Sequence, residues 1–175
     1  MDISIRRARQ SEFATVRNFY HALTDEMSGS KFCIGWKKDI YPAPEFLSKS
    51  IVDGELFIGE LDGEIASCMV LNHDYNDGYK NVHWSVEVDD AELLVIHALG
   101  VRPKFSGLGI GKLMTRFALD FARRKNFKTI RLDVLDGNFP AEKLYTAEGF
   151  HFVDALKMFY EDTGWTTYKL YEILF

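Results

Sequence analysis

The chain has few cysteines, few prolines and no long apolar run. Its two cysteines, Cys33 and Cys68, cannot make a disulfide framework or complete a zinc site by themselves, so we expect buried thiols and no bound metal. No apolar run approaches the roughly 18 residues that a membrane helix needs, so no membrane partner is expected. The segment from Met1 to Arg7 lacks a hydrophobic signal region, which predicts a cytoplasmic protein.

The composition excludes a disordered chain. Proline (4) and glycine (13) are scarce, whereas aromatic residues make up 14% and hydrophobic residues 47% of the sequence. A length of 175 residues suits one compact domain. We find no internal repeat, low-complexity segment or linker, so a single domain over residues 1–175 is predicted.

The charge is unevenly distributed along the chain. The net charge of −5 argues against a dedicated nucleic-acid binder. The stretch Val101–Arg131 nevertheless holds nine basic residues against one acidic residue, Asp120, and the rest of the chain is strongly acidic. A basic stretch in an acidic protein indicates either a local anion site or a solvated helix face.

The first half of the chain alternates short apolar segments with turn signals. Ser11 is a plausible N-cap for a helix whose apolar positions, from Phe13 to Met27, recur at helical spacing. Asp62-Gly63 is a strong hairpin signal. The predicted elements are a strand at Ile3–Ala8, that helix, a helix at Glu45–Val52, hairpin strands at Leu56–Leu61 and Glu64–Leu71, and strands at Val82–Val88 and Leu93–Val101.

The second half has a different pattern. The segment Leu93–Val101 is almost continuously apolar, as in a strand that is buried on both faces. A glycine loop and an amphipathic helix follow, and Asn126 can end that helix. The apolar stripe of the helix comprises Ile110, Leu113, Met114, Phe117, Ala118 and Phe121. Further predicted elements are a strand at Thr129–Val134, a helix at Pro140–Glu148 ended by Gly149, and an antiparallel pair at His151–Phe159 and Thr166–Leu174. This order predicts an α+β domain with a mixed sheet.

The glycine loop, Ser106-Gly107-Leu108-Gly109-Ile110-Gly111-Lys112, lies between a buried strand and a helix start. Free N–H groups and the positive end of the helix dipole suit phosphate oxygens at this position. A Walker A loop is excluded by Ser106 and Leu113, and a dinucleotide fingerprint by Lys112. A pyrophosphate loop of the coenzyme A type remains, beside the alternative that the glycines only permit a tight turn.

Several segments together resemble one known family. They are Leu99-Gly100-Val101-Arg102-Pro103, the glycine loop, the run Asn138–Tyr145, and Gly149-Phe150. They resemble the GNAT superfamily of acyl-CoA-dependent N-acetyltransferases. The resemblance implies a mixed, mostly antiparallel twisted sheet, with a strand–glycine loop–helix–strand core for the cofactor and flanking helices. One departure is Ser106, where the family usually has Arg or Gln. Arg102, Lys104 or Lys112 could bind the cofactor in place of that longer side chain.

The resemblance also implies how acetyl-CoA would be held as co-substrate, without a metal. Leu99 and Val101 would offer main-chain groups to the pantetheine arm. Asn138 would bind the arm through its amide, or it is simply a turn residue after Gly137. The pyrophosphate would lie against the loop, whose cofactor-binding residues are Gly107, Leu108, Gly109, Ile110, Gly111 and Lys112.

Two residues are candidates for catalysis. Tyr145 matches the family tyrosine that protonates the departing thiolate, and a phenol can donate a proton to a thiolate. The alternative is a packed helix aromatic. His97 is the first candidate for the base, because it is expected to alternate with Leu99 and Val101 on one face of the strand. Glu92 and Glu87 are rivals, and a lone histidine in a strand is often structural.

Two classes of function follow. The first is an enzyme that moves an acetyl group from acetyl-CoA to an amine by direct attack in a ternary complex. The second is a non-catalytic acyl-CoA-binding sensor, which Ser106 keeps open. The apolar C-terminus, Tyr168 to Phe175, favours a homodimer unless it packs in the core.

The acceptor is a small-molecule or peptide amine whose identity the sequence does not give. Acidic residues between Asp74 and Glu92 lead into the strand that carries His97. Such carboxylates would favour a small cationic amine or a peptide N-terminus, unless they are solvated loop acids.

Overall fold

The computed structural model describes residues 3–32 and 34–175, which form one seven-stranded sheet covered by four α-helices. The strands are β1 (Ile3–Arg7), β2 (Leu56–Leu61), β3 (Glu64–Asn72), β4 (Leu93–Val101), β5 (Thr129–Leu135), β6 (His151–Tyr160) and β7 (Gly164–Leu174). The helices are α1 (Phe13–Met27), α2 (Pro44–Val52), α3 (Ile110–Arg124) and α4 (Phe139–Ala147).

The strand order in the sheet is β1-β2-β3-β4-β5-β7-β6. All neighbours are antiparallel except β4 and β5, which are parallel because α3 connects them as a crossover. The predicted α+β class and the mixed, mostly antiparallel sheet are therefore confirmed. The sheet also places the glycine loop between β4 and α3, at the end of β4 that diverges from β5.

Helices cover both faces of the sheet with separate apolar cores. On one face α3 and α4 bury Met114 and Ala118 against the sheet, and on the other α1 and α2 bury Val16 and Leu47. Leu113, which the sequence places in the apolar stripe of α3, is 41% exposed. Positions four residues apart, from Ile110 through Met114 and Ala118, face the sheet instead.

The predicted strand at Val82–Val88 is wrong, because this segment is irregular. Side chains satisfy its backbone in place of a neighbouring strand. The Ser85 N–H donates to Glu172 Oε2 over 2.9 Å, and the Arg131 guanidinium donates to the Val86 carbonyl over 2.6 Å. A pattern of alternating residues does not show whether the backbone is hydrogen-bonded by a neighbouring strand or by side chains.

The predicted N-cap at Ser11 is also wrong, because α1 begins at Phe13 after a 3₁₀ turn over Gln10–Glu12. The residue before α1 is Glu12, whose side chain makes no capping bond to that helix; its carboxylate instead accepts the Arg9 N–H over 2.7 Å, in the capping box of the 3₁₀ turn. Among the described residues, Cys68 is a buried free thiol as expected, whereas Cys33 lies outside them. None of the helices in residues 3–32 and 34–175 is long and apolar enough to cross a bilayer.

Candidate active site

The site begins where two parallel strands diverge. β4 and β5 pair only from Leu93–Val95 to Thr129–Arg131, and beyond these three pairs they separate. The rest of β4 is therefore unpaired with β5, and its backbone groups on that side have no partner in the sheet. Such an edge can pair with an extended ligand in the way that an added strand would.

A β-bulge in β4 lies beside this divergence. Cys68 pairs with Gly100 but Val70 pairs with His97, so β4 contains one extra residue. That residue is Ala98, whose φ of 50° is in the left-handed region. The Tyr20 hydroxyl donates to the Ala98 carbonyl over 2.8 Å, which holds the bulge in place.

The bulge separates side chains that the sequence places together. Leu99 and Val101 pack against the α3 face of the sheet, whereas the His97 ring lies on the other face, 6.0 Å from Phe46 of α2. The expected alternation of His97 with Leu99 and Val101 on one face is therefore wrong, because the extra residue inverts the side-chain order. His97 remains next to the divergence of the strands.

A cavity of about 100 Å³ occupies the gap between β4 and β5. It brings four of the predicted site residues together: His97, Leu99, Asn138 and Tyr145. Further aromatic and acidic residues complete the lining, including Trp36, Tyr41, Asp133, Tyr160, Asp162 and Tyr168. The cavity is thus bounded by the edge of β4 and by α4, and acidic and aromatic side chains line the rest of it.

Tyr145 lies buried on α4, with its ring edge-on to Phe150 at 5.5 Å. Burial raises the pKa of its phenol, and the charge of Asp133 raises it further, so the hydroxyl stays protonated at neutral pH. Asn138 also lines the cavity, and its side-chain oxygen accepts the Ala141 N–H over 3.4 Å as the cap of α4. The capping bond fixes where its amide lies.

His97 is held by its ring nitrogen Nε2, which donates to the Asp74 carbonyl over 2.8 Å. This bond leaves Nδ1 as the acceptor atom of the neutral ring. Burial lowers the pKa of His97 to about 4, against a smaller opposite effect of the Asp74 carbonyl. The ring is therefore neutral at physiological pH.

The glycine loop has the backbone geometry of an anion site. Gly107 and Gly109 have φ values of 78° and 73°, which favour glycine, and a Cβ at either position would meet open space. The conformation, and not crowding, therefore requires these glycines. Gly109 precedes α3, whose first N–H groups have no acceptor within the helix. The loop and the free edge of β4 together fit the two parts of acetyl-CoA, the pyrophosphate and the pantetheine arm.

The three basic residues that could compensate for the short side chain of Ser106 differ in their surroundings. Arg102 pairs with Glu26 and Glu64, and Lys104 pairs with Glu64. Lys112, in the first turn of α3, is half exposed and its Nζ lies 3.5 Å from Glu148 Oε1. Within the described residues Lys112 has this one ion pair, which is long, so it is the most available of the three for a phosphate.

The rival bases lie elsewhere. Glu92 pairs with Lys128, with Oε1 and Nζ 2.7 Å apart, and caps the turn at Asp89. Glu87 and Glu92 line a separate surface depression and do not line the cavity that contains Tyr145. Of the acidic residues between Asp74 and Glu92, none lines that cavity among the residues that the structure describes.

The sequence reasoning missed Asp133 and Asp162. Asp133 lies on β5, and its Oδ2 accepts the hydroxyls of Tyr79 (2.9 Å) and Tyr160 (2.8 Å). One signal was available, because Asp133 is a lone carboxylate between the buried residues Leu132 and Val134. Asp162 follows β6 in a turn and gives no such signal. In the described part of the chain, no group of three or more His, Cys, Asp or Glu is placed to hold a metal ion.

Comparison with known proteins gives a consistent result. The model of the acetyltransferase (GNAT) family matches residues 17–150. A Bacillus subtilis protein assigned as a ribosomal protein bS18-alanine N-acetyltransferase is 27% identical over 139 residues, which cover 79% of this chain and 80% of that protein.

Solved structures share the whole architecture. A GNAT-family acetyltransferase from Streptococcus agalactiae has a TM-score of 0.81 at 16% identity, covering 99% of this chain and 95% of that one. An acetyltransferase from Salmonella typhimurium, solved with its cofactor acetyl-CoA, has a TM-score of 0.69 at 16% identity, covering 99% and 94%. At these identities the likeness establishes the fold.

Proposed function

Because the chain belongs to the acetyltransferase (GNAT) family and is an acetyl-CoA-dependent enzyme, we propose that it acetylates a primary amine by direct attack in a ternary complex. The proposed acceptor is a small cationic amine or a peptide N-terminus. One observation carries this proposal: a single cavity joins Leu99, Asn138 and Tyr145 to the carboxylates of Asp133 and Asp162. The name of the Bacillus subtilis relative supports a peptide N-terminus as one acceptor class.

We propose that this chain's backbone holds most of the co-substrate. The main-chain groups of Leu99 and Val101, on the free edge of β4, would bind the pantetheine arm, and the Asn138 amide would bind it from α4. The N–H groups from Leu108 to Lys112, with Gly107 and Gly109 shaping the turn, would bind the pyrophosphate. Acetyl-CoA supplies the thioester that the amine attacks.

Direct attack is supported by the position of the one described cysteine. Cys68 is completely buried on the α1/α2 side of the sheet and does not line the cavity. Burial also raises the pKa of its thiol well above the ordinary value, so it is a poor nucleophile. No step through an acyl-cysteine is needed.

Tyr145 is the proposed general acid. Its hydroxyl lies within the cavity and remains protonated, so it can donate to the thiolate that leaves when the new C–N bond forms. His97 is proposed as the base, because its neutral ring has Nδ1 available at the cavity wall. The acidic limb of the kcat/KM profile should disappear in His97→Ala, and a profile that keeps this limb removes His97 from the role.

Free-thiol release from acetyl-CoA in the presence of a panel of amines tests the function. We expect turnover by the unmodified protein and a fall in kcat of about 100-fold in Tyr145→Phe, with the Kd for coenzyme A unchanged. Phe152 is exposed on β6 outside the cavity, so Phe152→Leu serves as a control in which another aromatic side chain is changed. Coenzyme A binding without turnover on any amine would favour the sensor function instead.

We further propose a cytoplasmic homodimer of a single domain over residues 1–175. Tyr168, Leu170 and Tyr171 are buried within the monomer, so only part of the apolar C-terminus is left to a partner. β6 is an edge strand, and Phe159 on β6 and Trp165 on β7 are 45% and 73% exposed. A monomer mass in light scattering at micromolar concentration would exclude the dimer.

A further inference from the structure

We infer that Asp133 forms, with the rings around it, a binding site for the acceptor's ammonium group that selects amines without a neighbouring carboxylate. This inference rests on the proposed function and names its substrate class. It covers both amines on small molecules and peptide N-termini, since neither carries a carboxylate on the carbon next to the nitrogen.

Asp133 is a cavity carboxylate without a cation. Among residues 3–32 and 34–175, no Lys, Arg or His forms an ion pair with it, and it accepts hydrogen bonds from the neutral hydroxyls of Tyr79 and Tyr160. Both hydroxyls bond to the same oxygen, Oδ2. A carboxylate withdrawn from water without a counter-ion is costly, and an ammonium ligand would offset that cost.

The charge of Asp133 acts at the centre of the cavity. Burial raises the pKa values of Tyr41, Tyr145 and Tyr160, and the charge of Asp133 raises each of them further. Asp133 lines the same cavity as these three tyrosines, so its carboxylate shares that space with the proposed general acid, Tyr145. An ammonium held there lies next to the place where the thioester is attacked.

The lining has no group that could bind an anion by charge. Of the described residues around the cavity, none is Lys or Arg, and the one histidine, His97, is neutral. Asp162, which is 4% exposed, adds a second carboxylate. Lys37 acts on Asp162 from outside the lining, whereas no cation of the lining faces Asp133. An amino acid would bring its own carboxylate against Asp133 without compensation, so it should be rejected.

Aromatic rings surround the same space. Trp36 and Tyr41 lie 5.7 Å apart, Tyr41 and Tyr160 lie 6.4 Å apart, and Tyr160 and Tyr168 lie 4.8 Å apart between ring centroids. Ring faces attract an alkylammonium through cation–π interaction and accommodate its methylene groups. Charge and aromatic surface thus favour the same ligand.

The experiment compares amines in matched pairs, pentylamine with norleucine, tyramine with tyrosine, and alanine amide with alanine, and adds cadaverine as a diamine. We expect kcat/KM for the carboxylate-free member to exceed that of its partner at least 100-fold. In Asp133→Asn, which keeps an acceptor for both tyrosines, kcat/KM for the amines should fall about 10- to 100-fold and the ratio within each pair should shrink. Cadaverine and alanine amide distinguish a small-amine acceptor from a peptide N-terminus.

Asp154→Asn is the matched control, because Asp154 is an exposed carboxylate on β6 outside the cavity. The ratios of kcat/KM within each pair should be the same in Asp154→Asn as in the unmodified protein. Thermal unfolding checks that Asp133→Asn is folded, and Asp162→Asn provides a second variant whose ratio should also shrink.

Unchanged ratios in Asp133→Asn, or equal turnover of amines and amino acids by the unmodified protein, overturn this inference and leave the proposed function intact. If no amine causes thiol release from acetyl-CoA, the proposed function fails. Calorimetry of cadaverine binding to the complex of the protein with coenzyme A then decides this inference. Binding weakened by Asp133→Asn supports the ammonium site, whereas absent or unchanged binding overturns it.

Discussion

The buried ion pair between Arg131 and Glu172 should be the most sensitive electrostatic contact in the fold. Arg131 Nε lies 3.0 Å from Glu172 Oε1, and their side chains are 8% and 0% exposed. The pair joins β5 to β7 and also holds the irregular segment 82–88, through Ser85, Val86 and the Trp84 ring, which lies 4.3 Å from the guanidinium. We consider Arg131→Met, Glu172→Gln and the double variant.

Each single substitution leaves one buried charge without its partner, which costs about 3–5 kcal/mol. The double variant removes both charges together. It loses the bond to the Val86 carbonyl and the cation–π interaction with Trp84, but Gln can still accept the Ser85 N–H, so we expect a cost of about 2 kcal/mol. The double variant should therefore be more stable than either single variant.

Urea unfolding of the four proteins measures these free energies, and the midpoint of thermal unfolding should fall by about 6–20 °C in the single variants. Amide exchange across residues 82–88 should accelerate in Arg131→Met. The control is Arg123→Met, whose guanidinium pairs with Asp120 on the surface and should leave the midpoint unchanged. Strictly additive effects of the two single substitutions would refute the reasoning.

Two further predictions concern other parts of the chain. Hydrogen bonding to Arg6 lowers the pKa of Glu12 to about 2 from an ordinary value of 4.5, so this carboxylate stabilises the fold above pH 4.5 and the effect is lost as the pH falls through 2. Glu12→Gln should thus be about 1 kcal/mol less stable at pH 7, with the difference vanishing near pH 2 in urea titrations; a constant difference would contradict this. A Cβ at Gly100 would overlap Leu23 Cδ2, so Gly100→Ala should cost about 1–3 kcal/mol by the same assay, and it should cost less in a Leu23→Ala background, where the overlapping atom is absent. An equal cost in both backgrounds would show that crowding is not the cause.

The strands and helices that carry strong periodic patterns were predictable. The hairpin at Asp62-Gly63, the end of α3 near Asn126 and the placement of the glycine loop before α3 are all as expected. The segment 82–88 was not, because its backbone partners are side chains of Arg131 and Glu172, which are distant in sequence. Patterns of neighbouring residues carry no information about such interactions.

The candidate site was likewise predictable only in part. The loop and the positions of Asn138 and Tyr145 follow from local motifs, and the structure brings both residues to one cavity. The face of His97 could not be predicted, because one extra residue at Ala98 inverts the alternation. Asp133 was missed because its importance arises only when β5 separates from β4 and the strand's polar face meets tyrosines from elsewhere.

The short parallel pairing between β4 and β5 also has a mechanical consequence. Four strands lie on one side of it and three on the other, and Ile3 and Leu174 belong to opposite sides. A load applied between the two ends is therefore transmitted through a seam of three residue pairs and through α3, which bridges it. The seam is the weakest junction of the sheet, so the protein should part there first when it is stretched, with the two groups of strands separating as intact units.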